Sequence, residues 1–189
     1  MEKKLTSKEL LRNLIVSAND PFATVERLED IKKVLSTSKN FAGINHLILA
    51  KSYFEDNITP FKLTEEEVKK QCELAIEEGN QIGYFYLYKL AKTDVERRKY
   101  LNISIYTNYA PAYLEYAKLH HKGDVYQKNL NKAYQYYRKA ANSGLEDGYF
   151  GMIMIDIETN NLKKQKEDYE EAKRKGFKLP GIVLWIKKQ

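Results

Sequence analysis

A chain of 189 residues, 43% hydrophobic and 31% charged, has the size and composition of one soluble folded domain. No apolar run approaches the ~20 residues that cross a bilayer, and Cys72, the only cysteine, has no internal partner for a disulfide. The net charge of +6 comes from 32 basic and 26 acidic side chains, with only six Arg. It is spread along the chain, where a nucleic-acid binder more often carries one basic stripe.

The first segment, Met1 to Asp20, has Lys3 and Lys4 ahead of Leu10, Leu11, Leu14, Ile15 and Val16. Arg12 and Asn13 interrupt that run, so it reads as an amphipathic helix and not as a secretory signal. A cytoplasmic location is the expectation. Asp20-Pro21 then predicts the start of a long helix, with Asp as cap and Pro in the first turn. Near Gly43 another apolar helix begins, INHLILAKSYF.

From Thr64 onward the chain punctuates itself regularly. Thr64 with Glu67, and Thr93 with Glu96, form capping boxes; Asn129 and Asn161 are further caps. Fifteen residues after these four stand Gly79, Asn108, Gly144 and Gly176, the residue types that best tolerate a left-handed stop. Eleven residues after each cap is a small residue: Ala75, Ser104, Ala140, Ala172. Three residues before those come Cys72, Leu101, Tyr137 and Tyr169, which predicts a stripe facing a neighbouring helix. After each of the first three stops a second helix starts near a small residue: Gly83, Ala112, Gly148. The repeating unit is thus helix, loop, helix, and no strand alternation of useful length appears. The predicted fold is all-α, a right-handed αα-solenoid of four to five helix pairs in one domain. Residues 43–79, 83–108, 112–144 and 148–176 are its repeats. Residues 1–40 are N-terminal capping helices, and 180–189 form a C-terminal cap built on Ile182, Val183, Leu184, Trp185 and Ile186.

Residues 112–144 carry Ala112, Tyr116, Ala117, His120 and Gly123, then Ala133, Tyr136-Tyr137, Lys139-Ala140-Ala141 and Gly144. This pattern resembles a Sel-one-like repeat, a subclass of the tetratricopeptide-type αα repeats. His120 stands where that pattern has Tyr, and one residue is inserted in the loop. Residues 83–108 and 148–176 match it less well, lacking the glycine-containing loop; in 43–79 only the second helix fits, and residues 1–40 fall outside the pattern. The resemblance implies a binding scaffold, used as an adaptor in assembly or signalling, and brings no catalytic residues.

Little in the chain points to chemistry. His120 and His121 are adjacent, about 100° apart on a helix, and cannot chelate one ion together. With His46 and Cys72 they form no zinc-ligand spacing, so no metal or other cofactor is expected. Cys72 sits at a core-facing register and reads as a small hydrophobe. No phosphate-binding glycine loop and no serine-nucleophile motif is present. The acidic runs at Glu65–Glu67, Glu77–Glu78 and Glu170–Glu171 suit helix starts and solvated faces, so no catalytic residue is named. Of 15 tyrosines, all but Tyr53 and Tyr169 lie between Tyr84 and Tyr149. Most have packing spacings; the rest would face a partner.

In an αα-solenoid the first helix of each pair lines the concave surface. Counting from the small starting residue, the sixth position holds Lys89, Lys118 and Met154, and the third holds Tyr86, Glu115 and Gly151. His121 and Lys122 lie one turn beyond Lys118. Tyr86, Lys89, Lys118, His121, Lys122 and Met154 are therefore the candidate partner-binding ridge, basic and aromatic, suited to an acidic segment or helix. The expected function is a non-enzymatic protein-binding module for one main partner: a bacterial inhibitor, a toxin-neutralising immunity protein or a small adaptor. It would be a monomer or part of a heterocomplex, with no role at a membrane. The alternative is an RNA or single-stranded DNA binder using Lys and Tyr.

Overall fold

The computed structural model describes residues 13, 25–37, 41–54, 61 and 63–179. The expected cap at 180–189 and the start of the long helix at Asp20-Pro21 lie outside them, as do residues 1–12 and 14–20. Among the described residues there are nine helices and no strand. They are α1 (Val25–Thr37), α2 (Ile44–Phe54), α3 (Glu65–Glu77), α4 (Gly83–Leu90), α5 (Asp94–Ser104), α6 (Ala110–Lys122), α7 (Leu130–Asn142), α8 (Glu146–Glu158) and α9 (Leu162–Arg174). The chain divides into two compact units, Met1–Tyr100 and Leu101–Gln189, and the division falls within α5.

The four predicted helix starts form as expected. Glu67 N–H donates to Thr64 Oγ1 at 3.2 Å, while Thr64 N–H donates to Glu67 Oε2 at 2.7 Å. Thr93 and Glu96 repeat that exchange. The side chains of Asn129 and Asn161 accept from the N–H groups of Lys132 and Lys164. Each cap satisfies an amide that the helix cannot pair internally.

The helix ends follow the same register. Gly79, Asn108, Gly144 and Gly176 all have positive φ, between 57° and 91°. After three of them the chain doubles back on a shared pair of bonds. Asn80, Leu145 and Phe177 N–H groups donate to the carbonyls of Ala75, Ala140 and Ala172. Gly79, Gly144 and Gly176 donate one residue further on, to Ile76, Ala141 and Lys173. The small residue is therefore also the carbonyl that ends its helix. Asn108 differs: α5 stops at Ser104, whose carbonyl receives both the N–H and the hydroxyl of Thr107.

In unit 1, α1 packs on α2, α2 on α3 and α4, and α3 on α4. Ile31, Leu35, Phe41, Leu49 and Phe61 form its buried cluster, with Leu28, Ile48 and Leu63 against it. Asn45 Nδ2 caps the chain leaving α1 by donating to Leu35 O at 2.6 Å. In unit 2, α6 packs on α7 and α8, α7 on α8, and α8 on α9. Neighbour and next-neighbour packing of this kind follows from a stripe of small residues. Ala75, Ser104, Ala140 and Ala172 are all 0% exposed. Gly148 shows how close the approach is: a Cβ there would lie 2.6 Å from Tyr137 O and 2.8 Å from Ala141 Cα.

The large residues of the predicted stripe are buried at Cys72, Leu101 and Tyr137. Tyr169 is the exception, only half-buried. Its neighbour Asp168 turns inward with Gln165 and Ala172, at i, i+3 and i+7 on α9. The inward position of Asp168 is explained by its partners in α7 and α8.

Candidate functional site

The residues expected to form a partner-binding ridge divide between the two units. In unit 1, Tyr86 is 3% exposed, its ring stacked on Phe54 at 5.8 Å and edge-on to Phe85 at 5.6 Å. It is a core residue and presents no surface to a partner. On so short a helix as α4, consecutive residues Phe85 to Tyr88 are all buried. Lys89 is exposed, with its ammonium 4.4 Å from the Phe54 ring centre.

In unit 2, Lys118, His121 and Lys122 line the second half of α6, and Met154 lies on α8. Lys118 Nζ donates to Glu115 Oε1 at 3.2 Å, a half-buried pair within one helix. His121 joins the two helices: Nε2 donates to Glu158 Oε2 at 2.9 Å, and Nδ1 lies 3.3 Å from Tyr137 Oη. Glu158 also accepts from Lys128 Nζ at 2.7 Å. These bonds, Lys128 first and then His121, hold its carboxyl below the usual range. Lys122 is exposed. Met154 is 38% exposed, and Phe150, one turn earlier on the same face, is 46% exposed. Phe150 was not singled out by register counting, although i, i+4 spacing from Met154 connects them. The basic character expected of the ridge is largely cancelled in unit 2, because Glu115 and Glu158 sit within it.

The groups with chemical potential are mostly spent on packing. Cys72 is fully buried, and burial pushes its thiol up to about 12, so it stays protonated and poorly nucleophilic. His46 is buried, with Nδ1 2.7 Å from Gln71 Oε1. His120 stacks on Tyr126 and meets Tyr116 edge-on; its Nδ1–H donates to Gln127 O at 3.3 Å, and burial holds its pKa down. The adjacent histidines thus serve different neighbours. Among the described residues, no group of three or more His, Cys, Asp or Glu is placed to hold a metal ion. A groove of about 480 Å3 in unit 1 is lined by Glu65, Glu66, Lys69, Leu87, Lys92 and Glu96 among others, and Lys92 is already paired with Glu65 at 2.9 Å.

One buried cluster was not legible in advance. Tyr134 of α7 donates its hydroxyl to Asp168 Oδ2 of α9 at 2.5 Å. Asp168 lies beside Asp156 of α8, which is 2% exposed. Burial first, and then Asp168, raises the Asp156 carboxyl to about 7. Lys164 Nζ lies 3.4 Å from the Tyr134 ring centre. A carboxyl taken out of water beside a second carboxyl ionises less readily. The cluster ties three helices together.

The tyrosines sort by exposure. Tyr86, Tyr88, Tyr113, Tyr116, Tyr134, Tyr137 and Tyr149 are buried. Tyr106 is 83% exposed. Tyr136 is half-buried on α7, between Lys132 and Lys139. Lys132 Nζ lies 5.1 Å from the Tyr116 ring centre; Lys139 Nζ lies 4.6 Å from that of Tyr136 and 5.4 Å from that of Tyr113. No family model matches the chain, and no curated protein matches it.

Proposed function

We propose that this protein is a non-enzymatic protein–protein interaction module built as a right-handed αα-solenoid of the Sel-one-like, tetratricopeptide-type kind. It binds one main protein partner, as an inhibitor, an immunity protein or a small adaptor. The observation that carries the reading is the outer face of α8. Its packing side holds Tyr149, Met152, Ile153 and Ile155 in the core, yet Phe150 and Met154 remain exposed at i, i+4. They lie on the helix that His121 and Glu158 join to α6. Exposed apolar side chains rimmed by charge favour association with another protein. The repeated helix pairs support the same reading, since such arrays bury residues at a fixed register and leave one face free to vary.

The test is capture of partners by the tagged chain from native-host lysate near physiological salt, with and without nuclease. The expected result is one stoichiometric protein that survives nuclease and is lost from the Phe150→Glu, Met154→Glu double variant, whose thermal stability stays near wild type. Recovery of nucleic acid alone, lost at high salt, would replace this reading with the RNA or single-stranded DNA one.

A further inference from the structure

Helix α7 is the most one-sided element of unit 2. Its sequence, LNKAYQYYRKAAN, contains Lys132, Arg138 and Lys139 and no acidic residue. The buried side is Ala133, Tyr134, Tyr137, Ala140 and Ala141. Lys132, Tyr136 and Lys139 stand at i, i+4 and i+7, so they form one outward stripe. Seven residues of helix separate the two lysines by about 10.5 Å along the axis.

Several cations of unit 2 are neutralised by a nearby carboxylate. Lys118, His121, Lys128 and Lys175 each meet a carboxylate at 3.2 Å or less. Among the described residues, neither Lys132 nor Lys139 does. Each ammonium instead rests over tyrosine rings, Tyr116 for Lys132 and Tyr136 with Tyr113 for Lys139. A ring contact orients an ammonium and leaves N–H donors pointing away from the ring. The stripe is therefore positive and un-neutralised among the described residues.

We propose that the outward face of α7 is a docking surface for an acidic segment of a partner protein, whose carboxylates meet Lys132 and Lys139. The inference rests on the protein-binding reading and places the acidic contact on α7, away from the α6–α8 face. Carboxylates at i and i+7 of a helix match the lysine separation. A single-stranded nucleic acid is the poorer fit. It needs open ring faces for its bases, and the outward approaches to Tyr113, Tyr116 and Tyr136 are occupied by ammonium groups.

The experiment uses the full chain and two synthetic helical peptides of identical composition, followed by fluorescence anisotropy at physiological salt. One peptide carries glutamates at i and i+7; the other has them on opposite faces. A uridine oligonucleotide of matched charge is the third probe. The i, i+7 peptide should bind best. Lys132→Glu with Lys139→Glu should weaken it by about tenfold or more. Lys163→Glu with Lys166→Glu, the same charge change on α9, should leave it unchanged. A Lys132→Gln, Lys139→Gln variant should give an intermediate loss if the Glu pair folds poorly. Equal loss in the two Glu pairs, or no discrimination between the peptides, overturns the proposal. Tighter binding of the oligonucleotide, in competition with the peptide, overturns it in favour of nucleic acid. If a partner captured by the wild-type chain is retained by the α7 variants, the α7 assignment fails while the protein-binding reading stands.

Discussion

Replacing Gly148 with Ala separates two forces of opposite sign. By helix propensity alone, Gly→Ala stabilises by up to about 1 kcal/mol. The structure predicts the reverse. The added Cβ would meet Ala141 N, Tyr137 O at 2.6 Å and Ala141 Cα at 2.8 Å. All three are backbone atoms of α7, so no rotamer change relieves the contact. Carbon prefers ~3.5 Å or more to such atoms, so α8 must retreat from α7 by about 1 Å, a gap that forfeits a quarter to a half of each dispersion contact. Tyr149, Met152 and Ile153 on α8 are almost fully buried and share that loss. Overpacking of this kind costs about 1–3 kcal/mol, so the net destabilisation is about 1 kcal/mol, and at most about 2 kcal/mol, after the propensity gain. Gly151→Ala is a second probe of the same contact: its Cβ would strike the buried Tyr137 ring, so it too should destabilise. Urea titration followed by circular dichroism measures both. A Gly148→Ala chain as stable as wild type, or more so, would refute the close approach of α7 and α8.

Two further outcomes follow from residues already described. Folded Asp156 holds its proton to about pH 7, against an ordinary carboxyl value of 3.8, so the folded chain binds more protons than the unfolded chain between those limits. Stability should therefore fall as pH rises from about 4 to about 7, by at most about 1.4 kcal/mol per pH unit, and then level off. Asp156→Asn should flatten that slope and be the more stable protein at pH 8; denaturation curves at pH 5 to 8 that run parallel for the two proteins would sink the buried-carboxyl account. Thr64→Ala removes one capping acceptor from α3 and should cost about 1 kcal/mol in thermal or chemical melts, and an unchanged midpoint would mean the cap contributes nothing.

Local chemistry explains why so much of the architecture could be read from the chain. Caps at Thr64, Thr93, Asn129 and Asn161 act within three residues. The left-handed stops at Gly79, Gly144 and Gly176 act within five. Such interactions depend on neighbours in sequence, so their spacing is visible there. The 3.6-residue period likewise placed Ala75, Ser104, Ala140 and Ala172 in contact positions, because only small side chains let helices approach so closely.

Tertiary structure decided what depends on partners far apart in sequence. Register counting put Tyr86 on an outward ridge, but Phe54, more than thirty residues away, receives its ring. It put Tyr169 inward, whereas Tyr134 and Asp156 draw Asp168 in instead. The charges of Lys118 and His121 looked available until Glu115 and Glu158 were found against them. Lys132 and Lys139 were two more basic residues in a lysine-rich chain until the fold left them together, over tyrosines and without carboxylates. Backbone preferences are local and additive enough to read along a sequence. Burial, ion pairing and surface charge are set by which helices meet, and those meetings exist only in the folded chain.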